Sequence, residues 1–180
     1  MDTQTASVIV GATAAVVAAW GIYSSRIVTR RKTTIEYIYN LLNDHDYIAA
    51  KLAFNILAKA DDKMLEYVPK GEPEGLSEER TGGNPSQLDD WYATKSAIVL
   101  ILNNYELIAI GIQRGVLDYK IVERYMRAIV TAHWEASRTY IEKLRTDRGN
   151  DNLFSEFKTL NGWMKGDVEK PKSRFWALWF

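Results

Sequence analysis

Ser7–Tyr23 reads SVIVGATAAVVAAWGIY, and no charged residue occurs anywhere between Thr3 and Ser25. A hydrocarbon core about 30 Å thick is crossed by roughly 20 mostly apolar residues in helical form, and this stretch is long enough. It is rich in Ala and Val rather than Leu, yet no side chain in it carries the cost of a central charge, which is about 2.5–3.5 kcal/mol. A cleaved signal peptide would need a basic leader and a shorter apolar core. The chain opens instead on Met1-Asp2-Thr3-Gln4 and places its basic residues after the apolar run, at Arg26, Arg30, Arg31 and Lys32. The expectation is an anchor that stays in the mature protein.

Positive charge collects on the cytoplasmic side of a spanning helix. That predicts a single-pass protein of the inner (cytoplasmic) membrane, with its N-terminus outside and the remainder in the cytoplasm. Trp20 and Tyr23 stand near the basic end, where amphipathic rings favour the headgroup region. Ser7, Gly11, Ala15 and Ala19 recur every four residues, on one helix face. Small residues so spaced let two helices approach closely in lipid, so self-association through this face is one expectation. The absence of cysteine agrees with a reducing compartment.

The segments divide into an anchor with its basic flank (1–32), a helical domain (33–166) and a basic-aromatic tail (167–180). In the domain, Ile35, Ile38, Tyr39 and Leu42 follow the i, i+3, i+4, i+7 spacing of one buried stripe. Thr33 and Glu36 have capping-box spacing, although the helix equally well runs on from the membrane. Asp44-His45-Asp46 interrupts the pattern, which resumes with Ile48, Leu52, Ile56 and with Ala49, Ala53, Leu57. From Pro69 to Asp90 prolines, glycines and acidic residues replace it, the signature of a solvated loop. SAIVLILNNYELIAIGIQ (Ser96–Gln113) is apolar nearly all round and reads as either a second span or the centre of a bundle. Asn103, Asn104 and Glu106 favour the bundle, since each needs a partner that lipid does not supply. Gly111 and Gly115 mark its end and Asp118 is placed to cap the next helix. That helix should run from Tyr119 to Thr146, facing inward with Val122, Met126, Ile129, His133, Ala136, Tyr140 and Leu144, and stop at Gly149. Asn150, Asp151 and Asn152 offer caps for a last helix carrying Leu153, Phe157, Leu160 and Met164. The fold class expected is all-α: one transmembrane helix, then a bundle of about four to five helices.

LNNYELIAIGIQRGVLD (Leu102–Asp118), together with the Trp134 region and YIEKLR (Tyr140–Arg145), resembles the domain-of-unknown-function family 4760. The order of parts is similar as well: a hydrophobic anchor, RRKTTIEYI (Arg30–Ile38), then the helical core. The resemblance spans roughly Arg30 to Met164. It implies a helical fold in a membrane setting, in bacteria and in phages or prophages, and it brings no established activity.

Chemistry is sparse in the residues. Asp44, His45 and Asp46 form the best local set of metal-type ligands, but a helix-to-helix turn explains them better, and no metal site is expected. His133, on an apolar helix face, reads as a hydrogen-bonded core residue. There is no phosphate-binding GxxxxGK[ST], no GxSxG and no cysteine nucleophile, so no cofactor and no catalytic residue is assigned. Charge is balanced, 23 basic against 23 acidic residues, which argues against nucleic acid. Glu106 with Asn103 and Asn104 is the candidate polar cluster, and Arg124 or Arg127 on the following helix is its expected partner. Two readings remain: a buried clamp that sets helix register, or a ligand pocket in a membrane-associated enzyme or sensor. The tail KPKSRFWALWF, with Trp176 and Trp179 after its basic residues, suits a bilayer interface, a groove on the bundle, or a partner. The leading expectation is a non-enzymatic membrane protein. Its cytoplasmic domain would bind a protein partner or a second copy, and the lipid bilayer is itself a partner. A phage-linked role at the host membrane, such as superinfection exclusion, is what the resemblance adds.

Overall fold

The computed structural model describes the backbone of residues 3–60, 63–68 and 85–171, and the side chains of 11–60, 63–68 and 89–171. Five α-helices occur among them: α1 (Thr3–Asn43), α2 (His45–Ala58), α3 (Pro85–Gln113), α4 (Tyr119–Arg148) and α5 (Ser155–Lys165). A short 3-10 turn covers Lys63–Tyr67. No strand occurs among the described residues. The expected loop at 69–90 therefore ends early, because Pro85 opens α3, a position where its missing N–H costs nothing. Residues 69–84 and the tail tryptophans Trp176 and Trp179 lie outside the described residues, as does the side chain of Ser7.

α1 is one unbroken helix of 41 residues, about 60 Å long. The capping-box alternative at Thr33 is thereby set aside, since Thr33 lies inside the helix. Its two halves differ in what they touch. Residues 11–22 are exposed throughout, with Val16, Val17 and Trp20 each at least 65% exposed. The second half packs on the bundle through Thr34, Tyr37, Ile38 and Leu41. Of the expected stripe only Ile38 is buried; Ile35, Tyr39 and Leu42 face outward. The reason is that α1 meets the bundle largely through polar contacts. Thr34 and Tyr37 take the inward face, and the helix is turned accordingly. α2 departs in the same way: Tyr47, Ala50, Phe54 and Leu57 are buried, whereas Ile48, Leu52 and Ile56 are exposed.

α3 is the centre of the bundle. Ile98, Ile101, Leu102, Tyr105, Ile108, Ala109 and Ile112 recur at helical spacing and are all buried. α2 covers one side of α3 and α5 another, while α4 closes the core against α5. Among the described residues, the stretch 89–113 is the one helix long and apolar enough to cross a membrane, and a core helix passes the same test. Asn104 and Glu106 reach neighbouring helices, whereas Asn103 is exposed.

α3 ends in a tight reversal. The Gly115 N–H donates to the Ile112 carbonyl and the Val116 N–H to the Gly111 carbonyl, with Gly115 at φ 73. This is the paired pattern that a left-handed residue after a helix permits. A Cβ on Gly111 would lie 2.8 Å from Leu117, so the missing side chain lets Leu117 fold back on α3. α4 then starts on Asp118, whose side chain accepts from the Lys120 and Ile121 N–H groups, and stops at Gly149 in the left-handed region. Both ends of α4 match the sequence reading within two residues. Of its expected inward face, Val122, Met126, His133, Tyr140 and Leu144 are buried and Ile129 and Ala136 only half-buried, with Val130, Trp134, Ser137 and Ile141 added.

Candidate functional site

The structure separates the residues of the expected polar cluster. Asn103 is exposed on α3 and Asn104 is buried. Glu106 is half-buried and does not pair with Arg124 or Arg127. Its carboxylate accepts from the Phe157 N–H at 2.5 Å, and the Glu156 N–H also points at it. Those are N–H groups of the first turn of α5, which have no partner within the helix. The residue before α5 is Phe154, at φ 55 and with no capping side chain. Glu106 therefore caps α5 from a distance of 51 residues in sequence. The local candidates do not serve: Asn150 accepts from the Asn152 N–H inside the preceding turn.

Burial holds the Glu106 carboxyl above its ordinary value; the Phe157 N–H lowers it, the Glu156 charge raises it, and Arg145 supplies the nearby positive charge. Arg145 itself donates to the Leu153 carbonyl at 2.8 Å. The same element thus carries the cap's counter-charge and ties down the chain leading into α5. Glu106→Ala should cost about 2 kcal/mol, because it removes a charged acceptor from orphan donors. Glu106→Gln should stay within about 1 kcal/mol, since an amide oxygen still accepts and the cost of burying charge disappears. Thermal unfolding of the two variants checks this; equal losses would mean that the carboxylate is not acting as a cap.

Arg124 and Arg127 are exposed on α4 and line an open groove of about 540 Å³ with Lys120, Tyr125, Thr131 and Met164. Arg127 pairs with Glu123 one turn away. A second recess, about 190 Å³, lies between the end of α2 and α4 around Met64, Glu135 and Tyr140. Glu106 belongs to neither.

Two polar constellations were not assembled from the sequence. The first joins α1 to the α3–α4 turn. Asp118 is buried and binds Arg30 at 3.1 Å, with Arg31 at 3.8 Å. Its N–H donates to the Thr34 hydroxyl at 2.7 Å, and that hydroxyl donates to the Arg30 carbonyl. Two of the basic residues assigned to the lipid interface, Arg30 and Arg31, thus also hold the bundle to α1. One turn further along α1, the Tyr37 hydroxyl donates to Asn104 at 2.6 Å.

The second is a line of ring and amide groups through the core. His133 lies 2.9 Å from the Tyr105 hydroxyl through Nδ1 and 2.9 Å from Asn55 Oδ1 through Nε2. With an amide oxygen facing Nε2, that nitrogen carries the proton and Nδ1 accepts from Tyr105. Burial, and then the charge of Lys51, lower the His133 pKa to about 4. The imidazole is therefore neutral at pH 7 and acts as a satisfied core residue. Tyr47 lies alongside Tyr105 and Asn104, and burial raises the hydroxyls of Tyr37, Tyr47 and Tyr105. A patterned tyrosine was the one available signal, since Tyr37, Tyr47 and Tyr105 all stand in apolar helical stretches where a hydroxyl needs a partner.

Asp44 caps α2 through the Tyr47 N–H, and His45 is exposed in the first turn. No three metal-type side chains converge among the described residues. Asp44, Asp118 and Glu106 accept from first-turn N–H groups of α2, α4 and α5.

No curated protein and no solved structure matches the chain. A family model matches residues 8–163, from within the apolar stretch to the last helix. The arrangement described above, from the first helix through the Glu106-capped α5, is therefore that of a member of the family described as domain of unknown function (DUF4760), to which this chain belongs.

Proposed function

We propose that this is a single-pass protein of the inner membrane whose N-terminus lies outside and whose helical domain is a cytoplasmic, non-enzymatic interaction module. The observation that carries the reading is the contrast within α1. Its apolar half stands free of the bundle with large hydrophobic side chains uncovered, while its second half is joined to the domain by Asp118, Thr34 and Tyr37. A run of exposed Val, Ile and Trp on a bare helix is costly in water and at rest in lipid. The family match begins at residue 8, so the apolar stretch belongs to the matched region. Glu106 is engaged in capping α5, which favours a scaffold over a ligand pocket at that residue, while Asn104 Nδ2, Tyr140 Oη and Asn161 Oδ1 are buried with no hydrogen-bond partner among the described residues. Partner binding draws support from the outward rows Ile35, Tyr39, Leu42 and Ile48, Leu52, Ile56, which the domain leaves uncovered. A phage- or prophage-encoded role at the host membrane, such as superinfection exclusion, is the refinement that the resemblance suggests. Plating efficiency of unrelated phages on expressing cells tests it.

The anchor has a direct test. The full chain should stay with the membrane pellet through an alkaline-carbonate wash, and removal of residues 1–25 should release it. Recovery of the intact chain in the soluble fraction would remove the proposal.

A further inference from the structure

The contacts of α1 fix which end of the bundle lies nearest its apolar half. Tyr37 meets Asn104, and Thr34 and Arg30 meet Asp118. Moving along α1 toward its N-terminus is therefore moving along α3 toward its C-terminus. The Arg114–Asp118 turn and the start of α4 come last, level with the basic segment that follows the apolar run. Arg30 lies seven residues past Tyr23, about 10 Å of helix rise.

At that end the exposed side chains are Arg26, Arg31 and Lys32 of α1 with Arg114, Lys120 and Arg124 of the bundle. Of the acids nearby, Asp118 lies under Arg30, Glu123 sits between Arg127 and Lys170, Glu36 is beside Lys32, and Glu156 accepts from the Gln113 amide. Arg114, Lys120 and Arg124 form no ion pair with a described residue. Two apolar groups flank the charges: Val116 at the tip of the turn, 54% exposed, and Tyr125, 69% exposed. The turn is held by its two carbonyl bonds and by Leu117 against Gly111, so Val116 is presented on a rigid support.

We propose that this end of the bundle docks on an anionic phospholipid surface, with Arg114, Lys120 and Arg124 among the phosphates and Val116 and Tyr125 at the interface. The inference rests on the membrane-anchored reading and adds an orientation to it: the domain is held against the leaflet and does not swing beneath it. A planar anionic surface fits better than a small phosphate ligand. Lys120 and Arg124 line an open groove along α4 rather than a closed pocket, beside Glu123 and the apolar Tyr125, Ala128 and Met164, as interfacial helices do. The attraction falls off over a Debye length, about 8 Å, which is comparable to the roughly 10 Å of helix between Tyr23 and Arg30.

The absence of cysteine makes the test clean. Val116→Cys is labelled with an environment-sensitive fluorophore in the full chain, which is reconstituted into vesicles of phosphatidylcholine with or without phosphatidylglycerol. Asp151→Cys, at the other end of α4, serves as the reference site. The Val116 label should be shielded from aqueous iodide only when phosphatidylglycerol is present, and raised salt should expose it. Arg114→Gln/Lys120→Gln/Arg124→Gln should lower the docked-to-undocked ratio about 100-fold, given the contribution of each basic residue near such a surface. Equal quenching in both vesicle types, or shielding that survives the triple substitution, overturns the proposal. Co-flotation with vesicles distinguishes the levels: a chain that floats with an exposed label lacks the docking alone, whereas one that does not float lacks the anchor.

Discussion

Phe157→Ala should destabilise the domain by about 3–5 kcal/mol, the range for removing a large aromatic ring from a packed core. Phe157 is fully buried at the meeting point of three helices. Its ring stacks on Tyr105 of α3 at 4.6 Å and stands edge-on to Trp134 of α4 at 5.1 Å. Its backbone N–H is the donor that Glu106 caps. Truncation leaves a void that neither neighbour can fill without abandoning the other contact. α5 is only 11 residues long, too short to hold a helix by propensity, so it depends on this packing. Leu107→Ala on the exposed face of α3 is the contrast and should change stability by less than about 0.5 kcal/mol. Chemical unfolding measures both, and hydrogen exchange should show α5 losing protection first in Phe157→Ala. A loss below about 1 kcal/mol would mean that α5 is not anchored at this ring.

Acidification should weaken the fold through His133. Its folded pKa of about 4 lies below the ordinary 6.5 because the neutral ring is buried. The unfolded chain therefore binds the proton first, and stability falls as pH drops from about 6.5 toward 4. The full loss approaches 3 kcal/mol below that window. A proton on Nδ1 would also leave the ring and the Tyr105 hydroxyl both donating across 2.9 Å. In His133→Gln the slope of stability against pH between about 6.5 and 5, above the range where ordinary carboxylates titrate, should flatten. An unchanged slope would place the acid sensitivity elsewhere. Neutral His133 is also the condition for the Asn55–His133–Tyr105 line that ties α2, α3 and α4 together.

α4 shows how a helix becomes legible. Its apolar residues recur at one spacing, its polar residues cover the other side, and Asp118 and Gly149 stand at its ends. Boundaries and inward face could both be read because each is encoded within the helix. α1 and α2 carry apolar residues on more than one face, and there periodicity chose the wrong one: Ile35, Tyr39, Ile48 and Leu52 look outward. The inward faces went to Thr34, Tyr37, Tyr47 and Phe54, three of them with a polar group that finds its partner on another helix. Glu106 is the same lesson at a single residue. A carboxylate on an apolar helix announced that it needed a partner, but nothing local named it, and the charges one helix away were the wrong guess. The partner was the unsatisfied first turn of α5.

From residue order alone followed what depends on neighbours in the chain: an uncharged N-terminal helix, an all-α domain, the limits of α4, and the family. Those rest on hydrophobic spacing, capping residues and glycine, which act over a few residues. Tertiary structure alone decided which faces meet, that Asp118 bolts the bundle to α1, and that Glu106 completes α5. These depend on bonds between residues 51 to 88 positions apart, and no local spacing carries the direction in which a buried donor or acceptor will find its match.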